Sequence, residues 1–122
     1  MATFTLPKQL SDLLLVEVAP GWTKQRGTLR AGADYPLGTV LSWTEGKYQP
    51  LLPGATDGTE TAAAVLAERV DATATDQPCV VIARGAVLAI DELVWPAGIA
   101  ETDKTQALAA LNALGIVTHA PL

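Results

Sequence analysis

Two strand-like runs, a turn between them and two further turn signals crowd into residues 38–66, and this stretch limits the possible folds more than any other. Gly38-Thr39-Val40-Leu41-Ser42-Trp43 and Tyr48-Gln49-Pro50-Leu51-Leu52 are short and β-prone, with Glu45-Gly46-Lys47 between them. That order predicts a β-hairpin whose connection has three or more residues. Pro53-Gly54 and Asp57-Gly58 follow, and Asp-Gly supplies the positive φ that a tight reversal needs. The chain therefore turns twice before the apolar run at 62–65, and the stretch reads as scaffold. Asp57 and Glu60 also form a carboxylate pair on paper, but no histidine lies near them in sequence and turn chemistry already accounts for Asp57.

At 122 residues the chain has the length of one domain. Hydrophobic residues make up 49%, which argues against disorder, yet much of that is alanine and only 5% is aromatic. Alanine buries little area, so at about 25 cal/mol per Å² an isolated subunit has a thin margin, and help from an oligomer is expected. The net charge is −5 and the 8 basic residues stand singly, so there is no footprint for a phosphate backbone and no nucleic-acid partner is expected. The apolar run at 13–18 is broken by Glu17 and is too short for a membrane span or a signal-peptide core, so the reading is a soluble chain that is not exported. Cys79 is the lone cysteine and His119 the lone histidine, which leaves no intramolecular disulfide and no structural zinc site, and fits a reducing compartment.

Taken in order, residues 1–20 differ from the rest: Phe4, Leu6, Leu10 and the run Leu13-Leu14-Leu15-Val16 stand among Pro7, Lys8 and Asp12, and Ala19-Pro20-Gly21 closes the segment. An arm is the first reading and an ordinary strand tucked into the core the second. A helical turn over 9–16 with Ser11 as cap and an extended stretch over 14–18, with Leu14, Val16 and Val18 on one face, are both open. Residues 22–30 read as a strand with a bulge at Gly27, and Tyr35-Pro36 forces an extended entry to the hairpin. Residues 62–69 fit a helix by alanine content or a strand by context, and the polar, β-branched run after them favours a strand that ends in a loop at 71–78; 79–83 read as a strand buried on both faces and 86–90 as a further strand after a turn at Gly85. Cys79 is there a small hydrophobe. Trp95-Pro96-Ala97-Gly98 makes a rigid corner, the kind of place where a large ring caps a core or plugs an interface, with Asp91 and Glu92 as solvated loop charges before it. A single helix follows, capped by Glu101 or Thr102, with Ala107, Leu108, Leu111 and Leu114 as its apolar stripe and Gly115 as a left-handed stop that folds Ile116 back on Leu111. His119 lies in a solvated tail.

No phosphate loop, nucleophile-histidine arrangement or metal spacing appears, so no catalytic residue, metal ligand, cofactor or small-molecule substrate is expected. The residues alone give a mainly β domain with one C-terminal α-helix, an α+β arrangement. The ordered set Arg26-Gly27-Thr28-Leu29, Leu37-Gly38-Thr39-Val40-Leu41, Gly46-Lys47-Tyr48, Ala55-Thr56-Asp57-Gly58-Thr59-Glu60, Ala64-Val65-Leu66, Arg84-Gly85-Ala86-Val87, Leu93-Val94-Trp95-Pro96-Ala97-Gly98-Ile99 and Leu111-Asn112-Ala113-Leu114-Gly115-Ile116-Val117 resembles the phage head decoration family of the lambda type. The resemblance implies a small β-clip-like domain over 21–122 with an extended N-terminal arm over 1–20. It further implies a homotrimer that sits on the outer surface of the expanded head at three-fold positions, as non-catalytic cement against packaged DNA. By the same resemblance the arm contacts the major capsid protein, which maps the contact onto Phe4, Leu6, Leu10, Leu13, Leu14, Leu15, Val16 and Val18, although the arm itself carries no family motif. The protein would be found in the virion, and in the host cytoplasm during assembly. Trp95 and Pro96 are the candidate trimer contacts. Two other classes stand beside this one: a tail, neck or adaptor protein, and an inter-subunit enzyme around Asp57, Glu60 and Asp91, which would show shifted carboxylates gathered in one cleft.

Overall fold

The computed structural model of the chain describes residues 9–120. Phe4 and Leu6 lie outside them. Two four-residue helical turns come early, α1 (Leu10–Leu13) and α2 (Pro20–Thr23), with strand β1 (Leu14–Glu17) between them. Strands β2 (Lys24–Leu29), β3 (Asp34–Tyr35), β4 (Val40–Thr44), β5 (Lys47–Pro50), β6 (Ala64–Leu66), β7 (Val70–Asp71), β8 (Gln77–Ile82) and β9 (Ala86–Ala89) follow. A 3-10 turn at Ile90–Glu92, the helix α3 (Glu101–Ala113) and strand β10 (Ile116–His119) complete the order. The protein is thus mainly β with a single long helix near its C-terminus.

Five strands close a barrel in the order β2-β5-β4-β6-β8, three make a sheet β1-β9-β10, and β3 pairs with β7 alone. Within the barrel wall, Leu41, Ala64, Leu66, Cys79 and Val81 point into one buried cluster. Their neighbours Val40, Val65 and Ile82 point into a second cluster with Leu13, Ala86, Leu88, Leu111 and Ile116. Successive residues of a strand face opposite ways, so β4, β6 and β8 are covered on both faces, by the barrel interior and by the sheet with its helix. That is why residues 79–83 read as an almost unbroken apolar run.

The hairpin is present, with a shorter connection than the sequence suggests. Thr44 pairs with Lys47, which leaves a two-residue loop of Glu45 and Gly46. Both have positive φ, +52° and +79°, the mirror-image turn whose twist matches the strands it joins. Asp57-Gly58 turns as expected, with Gly58 at φ +100°.

Three other expectations are corrected. Trp22 belongs to α2 and not to the strand, which starts at Lys24. There is no bulge at Gly27, because Arg26, Gly27 and Thr28 pair with Val80, Cys79 and Pro78 in unbroken register. The glycine is needed because the Tyr48 ring lies against it: a Cβ there would stand 2.6 Å from Tyr48 Cε2. Neither Glu101 nor Thr102 caps α3; Ala100 occupies the cap position and contributes no side-chain bond. The helix stop is as expected, with Gly115 at φ +79° and its N–H donating to the Asn112 carbonyl at 2.9 Å. Beyond it the chain does not trail off. It forms β10, parallel to β9, with Ile116 opposite Ala86 and His119 opposite Ala89.

Candidate functional site

The carboxylates considered for catalysis are spread out. Asp57 Oδ1 accepts from the Thr59 N–H at 3.1 Å and from Thr59 Oγ1 at 2.5 Å, and these bonds hold its carboxyl below the usual value of 3.8. Glu60 Oε2 accepts from the Gly58 N–H at 2.9 Å. Both charges therefore serve the turn. Asp57 borders one hollow with Arg30, Glu60 another with Asp103, and Asp91 a third with Lys104. Among the described residues no group of three His, Cys, Asp or Glu side chains could hold a metal ion. Burial, with Glu68 nearby, pushes the Cys79 thiol up to about 11, so it stays a protonated core side chain. His119 is exposed on β10.

What the fold presents is apolar surface. In the three-stranded sheet Val87 pairs with Val16 of β1 on one side and with Val117 of β10 on the other. Residues opposite one another in register share a face, so these valines make a row across the sheet. Val16 is 53% and Val117 42% exposed. Ala86 and Leu88, on the other face of the same strand, are buried in the core. Leu15 sits where the β1–β9 register slips and is also exposed, as is Val18. Leu13 is fully buried, while Leu10 and Leu14 pack at the edge of the same core. Leu13 is thus inside the subunit, and among the described residues of the N-terminal set Leu15, Val16 and Val18 face outward.

Gly85 anchors this segment. Its carbonyl accepts from the Val18 N–H at 3.1 Å and from Thr23 Oγ1 at 3.0 Å. Trp22 lies against it so closely that a Cβ on residue 85 would meet the indole ring. Arg84 lies 5.9 Å above that ring and donates to the Trp22 carbonyl. The chain entering from β1 therefore has a fixed path.

A second apolar area lies between barrel and helix. Trp43, packed edge-on to Tyr48 at 4.7 Å between ring centres, faces Ala110, Ala113 and Leu114 of the helix end across an open hollow floored by alanines. Trp95 and Pro96 sit elsewhere, half-buried in a small apolar cleft with Tyr35, Pro36 and Val94. The corner they form is held by Val94, whose N–H donates to the Gly38 carbonyl and whose carbonyl accepts from Val40.

Val87, Val117, Trp43 and Leu114 extend the surface beyond the residues singled out from sequence. The alternation Ile116-Val117-Thr118-His119, buried then exposed, was the available signal for β10, hidden because the strand is short and directly follows the helix stop.

A small barrel that turns apolar rows and shallow hollows outward offers surface for docking against another protein. Comparison with protein families makes that general reading specific: the model for the bacteriophage lambda head decoration protein D matches residues 3–116 of the 122. The chain belongs to that family, and its role is structural, on the phage capsid. No single curated protein matches it in sequence.

Proposed function

We infer that the protein is a trimeric cement protein that binds the outer surface of the expanded phage head at three-fold sites, through its major capsid protein, and resists the pressure of packaged DNA. The observation that carries this reading is the family match over nearly the whole chain. Subunits wait in the host cytoplasm and join the head after expansion. Residues 1–20 form the capsid-contacting segment, and its outward-facing side chains Leu15, Val16 and Val18 adjoin the valine row, so segment and sheet face meet the shell as one surface.

The energetics support weak single contacts made strong by repetition. Full burial of a Val or Leu side chain contributes about 1.5–3 kcal/mol. Leu15, Val16 and Val18 are 50%, 53% and 66% exposed. Roughly half of that gain remains for each, about 2–4.5 kcal/mol per subunit before the cost of association, so one such contact alone is no tighter than about millimolar. Because residues 14–17 are already paired with β9, their backbone ordering, about 1–2 kcal/mol per residue, is not charged again on binding. Three such contacts in one trimer make the second and third intramolecular.

DNA-filled heads that lack their decoration protein, heated with and without this protein added, test the reading. Heads carrying it are expected to keep their DNA to a higher temperature; identical release curves would contradict the cement role.

A further inference from the structure

We propose that the hollow between barrel and helix end, bounded by Trp43, Ala63, Arg84, Ala110, Ala113 and Leu114, is where a second copy of this chain docks to build the trimer. The proposal rests on the trimeric reading above and deepens it by assigning the contact. It also moves that contact away from Trp95 and Pro96, which line a different and smaller cleft.

Charge is the first argument. Copies of a chain with net charge −5 repel one another, so a surface free of carboxylates opposes their close approach least. No Asp or Glu lines this hollow, and Arg84 is the single charge in it. The smaller Trp95–Pro96 cleft is also free of carboxylates, but no cation lines it to pair with an acidic neighbour. Arg84 is also free to take an acidic partner: its guanidinium is bonded to the Trp22 carbonyl and to Gln25 Oε1, both neutral, and it has no ion pair among the described residues. A neighbouring acidic copy supplies that carboxylate.

Shape and composition agree. Trp43 is 46% and Leu114 42% exposed, at the two ends of a hollow of about 580 Å³. Between them the alanines keep the floor low enough for a neighbour's side chains to approach the backbone. Tryptophan and arginine are residue types enriched at interface centres. Position gives the third argument. Leu114 on the hollow and Val117 on the sheet face are separated only by the helix stop and Ile116, while Trp22, the anchor of the N-terminal segment, stacks under Arg84 at the rim. Copies joined through this hollow bring their valine rows and N-terminal segments close together, which is the arrangement a multivalent grip on one shell needs. A hollow on one copy that receives a different surface of the next is a head-to-tail contact, which closes into a three-membered ring when successive copies are related by a third of a turn.

The test is the solution mass of the full chain by sedimentation equilibrium, with binding to expanded capsids measured alongside, for the wild type and for Trp43→Glu and Ala113→Glu. Ala113 is exposed and its replacement removes no packing, so that variant stays informative even where Trp43→Glu loosens the barrel. The expected result is a wild-type trimer and variants that keep their fold by circular dichroism but dissociate about 30-fold or more readily, the loss typical of a disrupted interface centre. Trimers of unchanged stability in both variants would overturn the assignment. If those unchanged trimers also lose capsid binding, the hollow belongs to the capsid protein instead. A wild type that is monomeric at all concentrations, yet still binds capsids, would overturn the trimeric reading itself along with this contact.

Discussion

Gly85 accepts two hydrogen bonds on its carbonyl, has φ +56° and leaves no space for a side chain beneath Trp22. A left-handed non-glycine residue costs about 1–2 kcal/mol and overpacking about 1–3, so Gly85→Ala should lose about 2–5 kcal/mol in urea unfolding. Because the strain falls at the anchor of β1, the variant should also be cut by protease near residues 10–20 under conditions where the wild type is not. Cys79 gives a pH signature. Its folded value of about 11 lies above the ordinary 9.0, so between those values the unfolded chain releases this proton first. Stability contributed by the protonated thiol is complete below pH 9 and declines as pH rises toward 11. Cys79→Ala should make that alkaline limb shallower, leaving the part due to Tyr48 and Tyr35, whose hydroxyls burial also pushes up. At neutral pH a thiol reagent should react with the native protein far more slowly than with the protein in denaturant.

Elements with local signals were legible in the sequence. The hairpin and the helix with its glycine stop depend on residues close together in the chain, and both are where the pattern put them. The loop length was misjudged because Glu45, a residue with no special liking for positive φ, takes the place usually held by Asn or Gly. That misfit yields a prediction: Glu45→Asn should stabilise by about 0.5–1 kcal/mol, measured as a rise in the urea midpoint. The exposed Arg30–Glu45 pair at 3.6 Å that it removes contributes little. Elements defined by distant partners were not legible. The two-residue ladder of β3 with β7 has no signature of its own, and the short alternation of β10 does not stand out beside the helix stop; each exists only because a remote strand offers its edge. Barrel closure by the Leu29–Tyr48 pair is of the same kind. The candidate surface divides likewise. Leu15, Val16 and Val18 could be named from their apolarity, whereas Val87 and Val117 join them only through register.

At the scale of the whole molecule, a small barrel turns apolar surface outward at the valine row and at the hollow beside the helix end, and family membership gives the chain a structural role on the phage capsid. Val117→Glu separates the two roles: it adds charge to the valine row without touching the hollow or the core. It should leave the mass of the assembly unchanged and weaken capsid binding, because three copies of the change act at each site. The most direct measurement of the central claim is co-sedimentation of the wild type with expanded capsids that lack decoration and, separately, with unexpanded shells. Saturable binding to expanded shells alone, in multiples of three copies and reduced by Val117→Glu, is the predicted result. Binding to neither shell, or equal binding to both, would contradict it.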